Sequence, residues 1–342
     1  MNDNYLQGMQ PGMPNGEYHS LPHIGSSGFK LLERSPLHFW HASSMNPDRE
    51  RRDPSRVMVM GTAWHTGIFE PHLFDGEYAA KPDISAASTV AKLLAEALED
   101  FEAFQAKYTA IPDGLSKTTK EGKALLAELA ADGKTGIEES KLAEVTALVP
   151  DLLGKTLLSA DDLQAVKSMA EAARAHPVTK VIMGLPGGMA EASIFWIDPE
   201  TGAPCRIRPD YHVPPCPMFP NGLIIDGKSN DDSSPVGFAR NAWNSEMYFQ
   251  AAFYSDGFQH HYRTPEPPVF AWLSQERDAP FATAYYSAPS DLVQFGRKKY
   301  RRLLRVFAQC LATGVWPGYP LHVNPLELPG WAIKQISDEV AA

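Results

Sequence analysis

Apolar residues recur at helical spacing through the first half of the chain and alternate with polar ones through much of the second. His23 to Trp40 reads as a short helix after a Ser-rich start, with its end near Ser35-Pro36. Residues 56–74 read as a buried helix carrying His65. Residues 85–108 are predicted helical, because Val90, Leu93, Leu94, Leu98, Phe101 and Phe104 fall on one face. Further helical segments are predicted at 118–131 and 137–149. Ser159, with Asp162 three residues on, predicts a capped helix that runs to about Ala175 and stops at His176-Pro177. The period then changes. Residues 188–198 read as a strand, followed by a turn at Asp198-Pro199-Glu200-Thr201-Gly202. Residues 204–213 read as a second strand with Arg206, Arg208, Asp210 and His212 on one face, and 222–229 as a third. A helix is expected over 235–257, strands over 268–276 and 281–287, and a long helix over 290–313. The predicted class is α/β: a mixed central sheet flanked by helices, with a helical elaboration before it. Trp40, Trp64, Trp196 and Trp243 are expected in the core.

The length of 342 residues fits one elaborated domain or two small ones. Residues 1–20, polar and rich in Gly, Pro and Asn, read as a flexible tail and not as a secretory signal. Residues 336–342 read as a second tail. No apolar run is long enough for a membrane span. Cys205, Cys216 and Cys310 are too few for a disulfide framework and lack zinc spacing, so a cytoplasmic setting is expected. A net charge of −10 argues against a passive nucleic-acid coat protein. It leaves room for an acidic centre beside a local basic surface. Arg297, Lys298, Lys299, Arg301, Arg302 and Arg305 are such a concentration: a solvated helix face by default, a phosphate-backbone contact otherwise.

The chemistry concentrates in the second half. Asp226 and Lys228 are two apart on a strand and share a face. Gln250 and Tyr254 are four apart on a helix and share another. Asp210 and Asp226 lie on neighbouring apolar strands, where an unpartnered carboxylate is costly. Carboxylates are the ligands that Mg²⁺ prefers, and a Lys beside them can stabilise charge on a phosphate. Gly222 to Ser229 also matches the nucleotide-binding P-loop letter for letter. Leu223, Ile224 and Ile225 favour a strand, however, and Asn230 to Pro235 separates Lys228 from any helix, so no ATP site is expected.

In this order the residues resemble the PD-(D/E)XK nuclease superfamily, in particular its RecB-like branch: "RPDY" at 208–211, "IDGKS" at 225–229, "QAAFY" at 250–254 and "GTAWH" at 61–65. More narrowly the chain resembles the RecE-type exonucleases, the exonuclease VIII family of prophages. That likeness rests on "SPLHFW" at 35–40, "GTAWHTGIFEP" at 61–71, "KEGKALLAE" at 120–128, "YFQAAFY" at 248–254 and the closing "WPGY" and "LELPGWA". The resemblance implies one nuclease domain over 21–335, its helical part about 21–178 and its catalytic core about 185–315. It implies that Asp210, Asp226 and the carbonyl of Gly227 hold the metal, with His65 completing the shell or touching the phosphate. Lys228 would act on water or the scissile phosphate, and Gln250 and Tyr254 would hold the strand or the site geometry. Glu191 could be a further ligand or orient the Lys. Arg206, Arg208, Arg297, Lys298 and Arg301 are candidate DNA contacts. The family implies a Mg²⁺-dependent exonuclease, with Mn²⁺ as substitute. It would degrade linear duplex 5′→3′ and leave 3′ single strands for a RecT-like annealing protein, as a ring-like trimer or tetramer. Another nuclease activity on this fold, or an idle DNA-binding module, are the alternatives.

Overall fold

A computed structural model describes residues 5–50, 53–115, 119–323 and 325–340. Residues 1–4 and 341–342 of the expected tails, and residue 118 at the start of an expected helix, lie outside the described residues. The central sheet has five strands in the order Thr283–Ser287, Val269–Glu276, Leu223–Asn230, Tyr211–Val213 and Met189–Ala190. Leu223–Asn230 and Val269–Glu276 run parallel, and the other pairs are antiparallel. Parallel neighbours need a crossover, which the helices Pro235–Asn244 and Met247–Tyr262 supply. Strand alternation then builds three layers. Ile224, Phe270 and Trp272 pack under Phe249 and Phe253 and the helices Ser26–Arg34 and Ser290–Thr313. Leu223, Ile225 and Leu273 pack on the opposite face against Trp64 and Ile68 of Arg56–Phe69 and Met169 of Ala160–Ala175. The fold is therefore the α/β class expected: a mixed sheet between helices. No helix among the described residues is long and apolar enough to cross a membrane.

Residues 89–152 form a separate module with its own core, including Leu93, Leu94, Phe104, Val145 and Val149. Its helices enclose a parallel strand pair, Tyr108–Ile111 with Thr135–Glu138, that helical periodicity did not reveal. A second parallel pair, Tyr78–Ala80 with Thr156–Leu158, closes its root. Several predicted elements divide. The helix expected over 56–74 stops at Phe69 and restarts at Pro71, which fits a first helical turn and no later one. That over 85–108 restarts at Asp100, whose side chain caps Ala103 N–H at 2.9 Å. That over 235–257 breaks at Glu246, which sits at φ 52°. The capped start at Ser159 is present, its hydroxyl accepting from Asp162 N–H at 3.1 Å.

Two corrections bear on function. The strands expected over 188–198 and 204–213 each switch sheets midway. Ser193–Ile197 and Pro204–Ile207 form a three-stranded sheet with Gly8–Gln10, while the remaining halves join the central sheet. Glu191 sits at the first switch at φ 47°, not within a strand. Residues 8–20, expected to be flexible, are packed instead: Gly8–Gln10 pairs with Ser193–Phe195 and Tyr18 of the helix Asn15–Ser20 is buried. Residues 330–340, which overlap the expected C-terminal tail, form a helix, Gly330–Val340. Trp64 and Trp196 are core residues, Trp40 is half-buried, and Trp243 lies on the surface.

Arg206 and Arg208 hold the amino-terminal segment down. The Arg208 guanidinium lies 4.0 Å from the Tyr18 ring centre and donates to Met13 O at 2.9 Å. Arg206 donates to Leu21 O at 2.9 Å and lies 4.6 Å from the same ring. Tyr18→Ala should therefore cost about 3 kcal/mol, as for other buried aromatics. Deleting residues 1–20 should cost at least as much, read as a lower urea midpoint. An unchanged midpoint on deletion would restore the flexible-tail reading.

Candidate active site

Asp210 and Asp226 meet because a ladder ends. The antiparallel register pairs Ile225 with Tyr211, and continuing it brings Gly227 opposite Pro209. Pro209 has no N–H to give the Gly227 carbonyl and no place in an interior ladder. The Gly227 N–H donates to Asp210 Oδ2 at 2.6 Å. The Gly227 carbonyl faces His65 Nε2 at 3.3 Å, and His65 Nε2 lies 3.5 Å from Asp210 Oδ2. A Cβ at residue 227 would stand 2.9 Å from His65 Nε2 and 3.0 Å from the Trp64 ring, so the approach needs glycine. The His65 helix is pinned from behind: Trp64 Nε1 donates to Gln275 Oε1, and Gln275 Nε2 donates to Met169 O at 2.8 Å.

Asp226 and Lys228 point to the other face. Gln250 Nε2 donates to Asp226 Oδ1 at 2.5 Å, and the Lys228 ammonium ion-pairs with Asp226 Oδ2. That oxygen is buried and accepts no well-angled hydrogen bond among the described residues. The Asp226 side chain is 1% exposed and that of Lys228 25%, so the pair runs from the interior to an open cleft. Tyr254, buried one helical turn beyond Gln250, lines the same cleft. Glu191 donates its N–H to Asp210 O at 3.2 Å, and ligand atoms of Glu191, His65 and Asp210 all lie within 4.8 Å of one another. The structure thus gathers Asp210, Asp226, Gly227, Lys228, His65, Glu191, Gln250 and Tyr254 around one centre.

The electrostatics are those of acids short of positive charge. Burial, then the charge of Asp210, raises Glu191 to about 8. Burial raises Asp210 and Asp226 to about 6, with Lys228 pulling both back. Burial and the Lys228 charge lower His65 to about 4, which leaves the imidazole neutral. Burial pulls Lys228 down, but Asp226 and Asp210 outweigh it and hold the ammonium above its ordinary value. Glu191, Asp210 and His65, with the Gly227 carbonyl beside the imidazole, are a donor set that fits a divalent cation.

The cleft has a volume of about 800 Å³, and its lining includes Lys30, Arg240, Asn241 and Arg277. These are the functional candidates that sequence reasoning missed. Arg277 directly follows Val269–Glu276, at the carboxyl end of the strand parallel to Leu223–Asn230, where α/β sheets bind ligands. The cations chosen from the sequence lie elsewhere. Arg206 and Arg208 are taken up by the amino-terminal segment. Arg297 pairs with Asp256 and Arg301 with Asp198 and Glu200, so the 297–305 helix is pinned by acids from other elements. Lys298 is exposed and does not line the cleft. Asp231 pairs with Arg277, and Asp232 accepts from Ser234 N–H at 2.8 Å; both are exposed and line the cleft beside Arg277. The P-loop resemblance fails on geometry, since the strand runs through Lys228 to Asn230 and the next helix begins at Pro235.

A mixed sheet with an acid-x-Lys strand, a second acid on its neighbour and a Gln-bearing helix above defines the PD-(D/E)XK nuclease fold. The chain belongs to the family described as PDDEXK-like domain of unknown function (DUF3799), whose model matches residues 25–327. Among solved structures it is similar to a protein from Eubacterium rectale provisionally described as an exonuclease. The identity is 11%, the match covers 92% of this chain and 97% of that one, and the TM-score is 0.46. A second, SSO0001, has 12% identity, 63% and 85% coverage and a TM-score of 0.26. Likenesses this remote carry no functional argument. No curated protein matches the chain.

The raised Glu191 gives a signed expectation for the cation-free protein. A carboxyl whose folded value lies above its unfolded one stabilises the fold below the unfolded value and loses that contribution as pH rises through the folded one. His65, held low, has the opposite sign and is lost as pH falls below 6.5, so pH 7 to 8.5 isolates Glu191. The melting temperature in EDTA should fall across that window, and Glu191→Gln should flatten the fall. Added Mg²⁺ should raise the melting point more at pH 8 than at pH 6. A flat wild-type profile with no cation shift at either pH would contradict this assignment.

Proposed function

We propose that the chain is a divalent-metal-dependent exodeoxyribonuclease acting on the ends of linear duplex DNA. The observation that carries this reading is the buried Asp226–Lys228 pair, braced by Gln250 and opening into a polar cleft with Lys30, Arg240 and Arg277 on its walls. A divalent cation bound at Asp210, Asp226, the Gly227 carbonyl and His65 would supply a lowered water pKa and charge against the phosphate oxygens. The protein's own groups do the rest. Gln250 fixes the Asp226 carboxylate. Lys228 stands at the cleft mouth, placed to meet charge that builds on a phosphate. Neutral His65 and Glu191 flank Asp210 and define the inner end of the site. Attack on DNA ends, the 5′→3′ direction, Mg²⁺ as the ion and delivery of 3′ single strands to an annealing partner rest on the resemblance to RecE-type exonucleases. Its basis is "SPLHFW", "GTAWHTGIFEP" and "YFQAAFY".

Digestion of end-labelled linear duplex beside a closed circle, with Mg²⁺ and without ATP, tests the reading. The linear DNA should disappear with the 5′ label released first, and the circle should survive. Asp226→Ala should abolish the activity, and Lys228→Ala should lower kcat by roughly 10²- to 10³-fold. Cleavage of the circle would move the assignment to an endonuclease, and no cation-dependent cleavage of either DNA would overturn it. Arg240→Ala should weaken duplex binding and reduce the slope of log affinity against log salt by about one, as for loss of one phosphate contact. An unchanged slope would remove Arg240 from the DNA path.

A further inference from the structure

The strand Leu223–Asn230 ends in a buried amide to which the chemistry above gives no role. Asn230 lies two residues beyond Lys228 and is 5% exposed. Its side-chain nitrogen donates to Lys228 O at 3.0 Å and to Ser274 Oγ at 2.8 Å. Ser274 is the register partner of Lys228 on the parallel strand, is fully buried, and shares a 2.8 Å hydrogen bond with Ser233 Oγ. The Asn230 side-chain oxygen accepts from Asn241 Nδ2, and the Asn241 side-chain oxygen accepts from Ser245 Oγ at 2.8 Å. The Ser245 carbonyl accepts from the Lys30 ammonium. The Asn230 carbonyl takes the Arg277 N–H at 3.0 Å.

The direction of this chain is forced. A backbone carbonyl only accepts, so the Asn230 nitrogen must face Lys228 O and its oxygen must face Asn241. Asn241 then has to present its nitrogen to Asn230, which leaves its oxygen for the Ser245 hydroxyl. Asn230 uses both of its donors and its acceptor inside the protein, where an unpaired amide group is costly. Neither amide can turn over without losing a bond.

Four elements meet here, and each carries a cation of the cleft. Lys228 is on the strand itself, and Arg277 directly follows the parallel strand Val269–Glu276. Arg240 precedes Asn241 on Pro235–Asn244, and Lys30 is on Ser26–Arg34. Lys30 and Arg240 are exposed and Arg277 is half-buried. Fixing the backbone origin of such long side chains reduces what binding has to order.

We propose that Asn230 and Asn241 are positioning residues that hold the cleft's cations at the spacing of a phosphate backbone. The proposal rests on the nuclease reading above. The bond between the two amides sets the rotation of Pro235–Asn244. Arg240 and Asn244 then face the cleft, while Ala239 and Trp243 face away from it. The amides act through the charged neighbours that they locate.

The test is duplex binding by the full chain in Ca²⁺, read by fluorescence anisotropy between about 50 and 200 mM salt. Wild-type affinity should fall with salt in proportion to the phosphates neutralised together. Asn241→Ala removes no charge, yet it should weaken binding about tenfold and lower the slope of log affinity against log salt by about one. An amide that only stabilises the fold would lower the melting temperature and leave the slope as it was. Arg240→Ala should also cost less in the Asn241→Ala background than in the wild type, because the arginine is already misplaced there. Asn230→Ala should behave like Asn241→Ala; where it does not fold, the half-buried Asn241 decides alone. In a wild type whose duplex binding depends on salt, an unchanged slope or additive effects of the two substitutions would overturn this proposal alone. A wild type with no salt-dependent duplex binding would overturn the nuclease reading as well.

Discussion

The site depends on a ladder that stops. Pro209 has no N–H to give the Gly227 carbonyl, which faces His65 instead, and the Gly227 N–H is taken by the Asp210 carboxylate at 2.6 Å. A buried N–H without a partner is costly, so this bond fixes where Asp210 points. The other distances follow. Gly227, lacking a Cβ, lets the His65 helix close on the strand, and its carbonyl meets the imidazole. Asp226, on the opposite face of the same strand, is left to Lys228 and Gln250. A proline, a glycine and the two-residue period of a strand thus bring Asp210, the Gly227 carbonyl and His65 together and set Asp226 with Lys228 and Gln250 beside them.

Much of that centre was legible in the sequence because it depends on short periods. Asp226 and Lys228 share a face through the strand repeat, and Gln250 and Tyr254 through the helix repeat. The sheet and the helices that flank it were also legible, as apolar periodicity with clear stops. What was not legible is where a strand changes sheet. Arg206, Arg208 and Asp210 look like one face only if the backbone stays straight, and it does not, because Pro204–Ile207 and Tyr211–Val213 belong to different sheets. The basic run at 297–305 misled for a related reason. Its partners Asp198, Glu200 and Asp256 come from distant parts of the chain and neutralise it only once folded. Lys30, Arg240 and Arg277 carry no local signal, since each comes from a different element and only the cleft unites them.

The acidic composition and the proposed phosphate-binding cleft are compatible for the same reason. The acids that matter are buried and crowded, and burial holds Glu191, Asp210 and Asp226 above their ordinary values. Left alone, that cluster repels a phosphodiester. A cation that neutralises it also offers the phosphate a partner, so on the proposed reading cation and DNA each raise the other's affinity, as linkage requires. Lys228 stands between the two, with its ammonium paired to Asp226 on one side and open to the cleft on the other. It stays charged because Asp226 and Asp210 outweigh the cost of its burial. Removing either carboxylate would therefore weaken the lysine as well as the cation site, which makes the acid-x-Lys strand one electrostatic unit and not two independent contacts.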